Sequence, residues 1–321
     1  MSHKNETGGS FWIRFVAAAA LSAGLAGAAL ASDAVVPGDF PTIGAAVAGA
    51  TDADSSGTIE IRVLAGTYAE NLLIRRSNLK LEGESAATTT IRGAGVIDTI
   101  RIENASGVTL TGFTVATAGG GDGIELSDAT GCTIEGNVFA GHIRGISLGR
   151  SSGNTVTNNE VRGCAGTGIK LARRSDANVV ATNDVHDNGN HGIDAIGVTD
   201  NLIQSNAISG NRGNGVRVGK ALGNTVAGNT ISGSGDNGMR VGRTFDLVIT
   251  GNTATGSVEN GLRMDETTRT LVTLNTLTGN AQFGVRRKLW VDDDFSGAAG
   301  FQDPAGDNDL SGNTQGAVRE D

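Results

Sequence analysis

The sequence predicts an all-β solenoid, one chain wound coil upon coil, and two columns of residues in step with each other predict it. Asn137, Asn159, Asn183, Asn206, Asn229, Asn252 and Asn275 fall 22 to 24 residues apart, and Gly145, Gly168, Gly192, Gly215, Gly238, Gly261 and Gly284 fall 23 or 24 apart. A fixed period of this size marks a unit that buries its apolar face only against its neighbours. Within one period, such as Gly223 to Val241, three short runs of alternating apolar residues each close on Gly or Asn. Short strands separated by tight turns have this pattern, so each coil holds three strands. Leucine-rich repeats are similar in length, but their Leu and Asn framework is missing, and a propeller blade needs nearly twice the period.

Taken in chain order, Lys4 and Arg14 precede an apolar run from Phe15 to Leu30, and Ala29-Leu30-Ala31 offers a small-residue cleavage site. Residues 1–31 are therefore expected to be a secretory signal peptide. The run is short and rich in Ala for a bilayer span, so the protein is expected to be secreted or periplasmic, with no membrane span once the signal is removed. Residues 32–57 are assigned to an N-terminal cap, because Ile43, Val47 and several Ala have helical spacing between Phe40 and Ala50, and an open stack needs its end covered. Residues 58–287 form the β-helix. Its inward columns are Ile134, Val156, Val180, Ile203, Val226, Ile249, Val272 in one strand and Phe139, Val161, Val185, Ile208, Ile231, Ala254, Leu277 in the next. A third runs from Ile124 through Ile146, Ile169, Ile193, Val216, Met239 and Leu262 to Val285. The Asn column sits at a turn, where Asn is expected to tolerate left-handed backbone and to bond the Asn one rung away. The Gly column is given the same backbone reading. After Val285 the register fails, and residues 288–321 are expected to be a C-terminal cap or tail, with Leu289-Trp290 over the last coil.

With 50 Gly but only three Pro, one Tyr and two Trp, the core is built from small and β-branched side chains. The net charge of −9 argues against general affinity for nucleic acid, and a monomer is expected. Cys132 and Cys164 lie in different columns of successive coils, so no disulfide is expected. Asp292-Asp293-Asp294 and Asp303 to Asp309 lack the Gly-centred loop of a calcium motif, and Gly119-Gly120-Gly121-Asp122-Gly123 does not recur nine residues later. No metal site or cofactor is assigned, with calcium the only candidate.

The chain resembles the right-handed parallel β-helix superfamily over roughly residues 57–287. That group includes pectate lyases, polygalacturonases, pectin esterases, alginate epimerases and NosD-like carbohydrate-binding proteins. The opening phrase Phe40-Pro41-Thr42-Ile43, Ala45-Ala46-Val47 and Ala65-Gly66-Thr67-Tyr68-Ala69-Glu70-Asn71 is similar to the first coil of pectin esterases. The resemblance implies a single-stranded right-handed parallel β-helix of about 23-residue coils, three strands per coil, with an N-terminal capping helix. The catalytic segments of pectin esterases, the paired aspartates and Gly-His-Gly of polygalacturonases and the Asp-Pro-His-Asp of alginate epimerases are absent from the sequence. Those specific activities are therefore disfavoured.

One outward column carries whatever chemistry the chain has: Glu125, Ser147, Lys170, Asp194, Arg217, Arg240, Arg263 and Arg286. Four guanidinium groups on consecutive rungs repel one another, and stability alone does not select them. An extended anionic ligand relieves the row, because Arg matches carboxylate or sulfate with two parallel donors. Neutralisation by Asp236, Glu259 and Asp265 as surface ion pairs explains the row equally well. The resemblance favours the ligand, since members bind acidic polysaccharide along this face, so Arg217, Arg240, Arg263 and Arg286 are the candidate binding residues. Lys170, His191, Asp194 and Arg217 form a candidate catalytic group. A lyase or uronan epimerase must neutralise a sugar carboxylate and remove the adjacent carbon-bound proton, with Lys170 or His191 as the base and Arg217 as the neutralising group. Three readings stay open: a protein that binds acidic polysaccharide, a polysaccharide lyase or epimerase, and a structural β-helix without ligand.

Overall fold

The computed structural model describes residues 33–117, 119–288 and 308–321. The expected signal peptide, Leu289-Trp290 and the acidic run at 292–294 lie outside them. The described chain forms three parallel sheets of eleven, eleven and ten strands, in which each strand pairs with its equivalents one coil before and after. The predicted inward columns are adjacent in register: Ile134 with Val156 and Val180, Phe139 with Val161 and Val185, and Ile146 with Ile169 and Ile193. All of these are fully buried. The axis of the stack is therefore filled by apolar side chains, nearly all of them aliphatic.

The Asn ladder forms as expected, but the reason given for its backbone needs correction. From Asn159 onward each ladder Asn takes the backbone N–H and the side-chain amide of the Asn one coil earlier, as Asn159 does from Asn137 at 3.1 and 3.2 Å. The left-handed residue is the one before it: Gly136, Asn158, Thr182, Ser205, Gly228, Gly251 or Leu274. The Gly column also has a different cause. Gly145 is not left-handed; a Cβ there would lie 2.2 Å from Val161 Cγ1 and 2.9 Å from Gly168 O. Glycine is needed because successive coils approach each other closely, and the φ angle does not require it.

At the N-terminal end a strand, Ala34–Val36, pairs with Ile59–Val63, and a helix, Ile43–Gly49, follows it. Thr42 caps the helix by accepting from Ala45 N, and Glu70 accepts from Ile43 N and Gly44 N at 2.9 and 2.8 Å. Tyr68 donates its hydroxyl to Leu64 O at 2.9 Å. The opening phrase is thus a lock between cap and first coil. At the other end the stack continues past the predicted boundary. Asn308 and Asn313 accept from Asn275 and Asn280 in two of the ladders, and Gly316–Glu320 pairs with Phe283–Lys288. Arg287 occupies the inward column beside Met264 and reaches Glu320 at 3.4 Å. Among the described residues no helix is long and apolar enough to cross a membrane.

Cys132 and Cys164 are buried and free. Burial pushes the Cys164 thiol up to about 11. Because the thiolate is the nucleophile, iodoacetamide at pH 8 is expected to leave Cys164 unlabelled in the folded chain and to label it once urea is added, as read by peptide mass. Ready labelling without denaturant would contradict the packing described.

Candidate functional site

The outward column of the third sheet is in register, and its charged residues extend one rung past each end of the column read from the sequence period. Arg101, Glu125, Ser147, Lys170, Asp194, Arg217, Arg240, Arg263, Arg286 and Arg319 stand side by side in the third sheet. Adjacent rungs are about 4.8 Å apart. Arg319 is hidden from the period because the last coil is longer than the others.

Two positions further along each strand, on the same face, lies a second column: Gly219, Gly242, Asp265 and Lys288. The strands here, Val216–Leu222, Met239–Phe245 and Leu262–Thr268, are seven residues long, whereas those of the preceding coils, such as Ile169–Ala172, have four. The extension carries the sheet around a corner marked by Lys220, Arg243 and Glu266, all left-handed. Between the two columns and this corner lies a groove of about 470 Å³. Gly219 and Gly242 are on its lining, and neither is left-handed. A Cβ on Gly219 would meet the tip of Ile196 at 2.8 Å, and one on Gly242 would lie 3.3 Å from Asp265 O. Glycine in a strand interior weakens it and marks a place where something approaches closely. Arg217-Val218-Gly219-Lys220 and Arg240-Val241-Gly242-Arg243 carry this glycine one period apart in the sequence.

Six cations line the groove, Arg217, Lys220, Arg240, Arg243, Arg263 and Lys288, against two acids, Asp265 and Glu266. Asp265 bridges Arg240 at 3.3 Å and Arg263 at 3.1 Å, and Glu266 pairs with Arg243 at 2.7 Å. Asp321 serves both Arg286 and Arg319. Of the acids expected to neutralise the row, Asp265 does so, while Glu259 accepts from Asn237 Nδ2. These solvent-accessible, partly exposed pairs contribute little to stability. Among the described residues, Lys170, Lys220 and Lys288 have no carboxylate within ion-pair distance.

The four residues of the expected catalytic group are brought together. Lys170, Asp194 and Arg217 occupy successive rungs, and the turn before Asp194 places His191 Nε2 3.2 Å from Arg217 Nη1. His191 Nδ1 accepts the backbone N–H of Asn214 at 3.0 Å. A backbone amide can only donate, so the ring proton belongs on Nε2. Burial, reinforced by Arg217, Arg240 and Lys170, lowers His191 to about 4 and keeps it neutral at pH 7. Two donors, His191 Nε2–H and the Arg217 guanidinium, therefore face each other, an arrangement that an oxyanion satisfies. This geometry makes His191 Nε2 a donor, not a base. Asp194 is 5% exposed, and its Oδ1 has no hydrogen-bond partner. Arg217 Nε lies 3.8 Å from it, a charge contact too long to be a hydrogen bond. Burial raises the Asp194 carboxyl above the ordinary range, against the pull of Arg217 and Lys170.

Three carboxylates at the N-terminal end, of Asp33, Asp52 and Asp54, lie within 4.8 Å of one another. They accept backbone N–H groups from Ala53, Ser56, Gly57 and Glu60. In the glycine-rich segment considered for calcium, Asp122 is taken by Arg144 Nε at 2.9 Å to both oxygens.

The model of a family described as the right handed beta helix region matches residues 98–221 and 144–287. No curated protein matches the chain. Among solved structures, the A-module of the mannuronan C-5 epimerase AlgE4 of Azotobacter vinelandii is similar with a TM-score of 0.66 at 16% identity, covering 90% of this chain and 99% of that one. The Dettilon tailspike protein is similar with a TM-score of 0.60 at 15% identity, covering 82% of this chain and 62% of its own. A double mutant of the periplasmic alginate epimerase AlgG gives 0.56 at 17%, covering 90% and 81%. At these identities the likeness establishes the fold.

Proposed function

The chain belongs to the right-handed β-helix family, and on that footing we propose that it is an exported protein that binds an acidic polysaccharide in the groove beside its arginine row. One observation carries the reading: the lining of the groove is held open by Gly219 and Gly242, whose backbone does not need glycine, under walls of six cations and two acids. The His191 and Arg217 donor pair supplies an anchor for one sugar carboxylate or sulfate at the end of the groove. Arg240, Arg263 and Arg286 continue the contact along the stack. The structurally similar AlgE4 A-module is that of a mannuronan C-5 epimerase. The basic start and apolar run of residues 1–31 support export.

Calorimetric titration with polygalacturonate, hyaluronan and heparin tests this. Arg217→Ala, and Gly242→Leu as a plug, are each expected to weaken the best ligand about tenfold or more, the equivalent of one charge-assisted hydrogen bond. Unchanged affinity for every acidic glycan, with circular dichroism showing the fold intact, would falsify the reading.

A second reading, lyase or epimerase chemistry, is favoured by the buried Asp194 carboxylate, which has no hydrogen-bond partner for Oδ1. In that scheme Arg217 and His191 Nε2–H neutralise the uronate carboxylate, and Lys170 or Asp194 takes the adjacent carbon-bound proton. Proton NMR of each glycan after incubation decides between the two. New olefinic or anomeric signals, lost in Asp194→Asn, establish catalysis; broadened but chemically unchanged signals leave binding.

A further inference from the structure

Resting on the binding reading, we infer that the ligand is a mixed polysaccharide whose acidic sugars are separated by neutral ones, and not a polymer with an acid on every sugar. The groove is positive without interruption for only two rungs. On the rungs of Arg217 and Arg240 the second column is glycine and the corner is cationic, Lys220 and Arg243. On the next rung the glycine position is Asp265 and the corner is Glu266. On the side toward the N-terminus, Asp194 stands between Lys170 and Arg217. Carboxylates therefore bracket the positive window at both ends.

The pairing within the window sharpens this. Asp265 occupies Arg240 and Arg263, and Glu266 occupies Arg243. Among the described residues, the groove cations without a carboxylate in hydrogen-bond reach are Arg217 and Lys220 at one end and Lys288 at the other. Lys288 lies on the rung of Arg286, three rungs from Arg217, a separation of about 14 Å. An extended pyranose chain laid along the stack advances about one rung spacing, roughly 5 Å, per sugar. An acid inside the positive window, on the rung of Arg240, and another on the rung of Lys288 are both met by cations, and the neutral sugar between them crosses the rung of Asp265 and Glu266. A polyuronate must instead set carboxylates against Asp265 and Glu266. Like charges in contact are a repulsive device for choosing between ligands.

The test titrates the full chain with size-matched polygalacturonate, acidic on every sugar, and hyaluronan, acidic on alternate sugars. Hyaluronan is expected to bind about fivefold or more tightly, and the Asp265→Asn/Glu266→Gln pair to narrow that gap by strengthening polygalacturonate more than hyaluronan. Polygalacturonate binding as tightly as hyaluronan to the native chain, or a gap unmoved in the double variant, overturns the inference while leaving the groove as a binding site. Binding of heparin alone, charged on every sugar, overturns the inference and leaves the groove; binding of none of the three polymers removes the binding reading itself, and this inference with it.

Discussion

Replacing Asn206 by alanine is expected to cost about 3–5 kcal/mol of stability, since it leaves several buried polar groups without partners at about 1–3 kcal/mol each. Asn206 is 1% exposed. Its Oδ1 accepts from Asn183 N at 3.0 Å and Asn183 Nδ2 at 2.9 Å, and its Nδ2 donates to Val180 O at 3.0 Å and Asn229 Oδ1 at 2.9 Å. Alanine restores none of these. Asn206→Asp is expected to be nearly as damaging, because it keeps the acceptor but turns an oxygen toward Val180 O and Asn229 Oδ1. Urea unfolding at 25 °C measures the loss, with exposed Thr230→Ala as a control expected to stay within about 0.5 kcal/mol. Each coil is stabilised by its neighbours, so a break at mid-stack is also expected to split the transition into two. A loss below about 1 kcal/mol would mean that the ladder bonds merely replace bonds to water.

The same column shows how far the sequence can be followed. The period places every inward residue in register and puts Asn beside Asn, because both follow from counting. It does not identify the left-handed residue: Asn tolerates that conformation, and the preceding position holds Gly, Asn, Thr, Ser or Leu with no common chemistry. The Gly column reads as a φ requirement because contact between backbones of successive coils leaves no mark in the sequence. At the candidate site the outward Arg row and the closeness of His191 to Asp194 follow from the repeat. The direction of the His191 proton does not, since it depends on which nitrogen meets Asn214 N. The groove lining is present in the sequence as a glycine repeated one period apart, which looks no different there from another turn.

His191 gives the second large effect, a loss of stability in acid. The folded chain holds the ring neutral down to about pH 4, chiefly through burial and then through Arg217, Arg240 and Lys170. The unfolded chain takes up a proton near the ordinary value of 6.5. Between these values the unfolded state binds more protons, so stability rises with pH through the window and falls as acid is added. The shift corresponds to about 3 kcal/mol between pH 7 and pH 4. Asp194 acts in the opposite sense, because its raised carboxyl accepts a proton more readily in the folded state and so gains stability as pH falls. His191→Asn separates the two. Asn continues the column of Asn214, Asn237 and Asn260, in which Asn214 Oδ1 already accepts from Asn237 N, so the fold is expected to persist. Urea unfolding of both proteins from pH 7 to pH 4 is expected to show a steep loss in the native chain and a much flatter curve in the variant; parallel curves would place His191 in ordinary contact with water. A bound oxyanion against Nε2 favours the protonated ring, so saturating glycan is expected to shrink the difference between the two curves, which connects the titration of this histidine to occupancy of the groove.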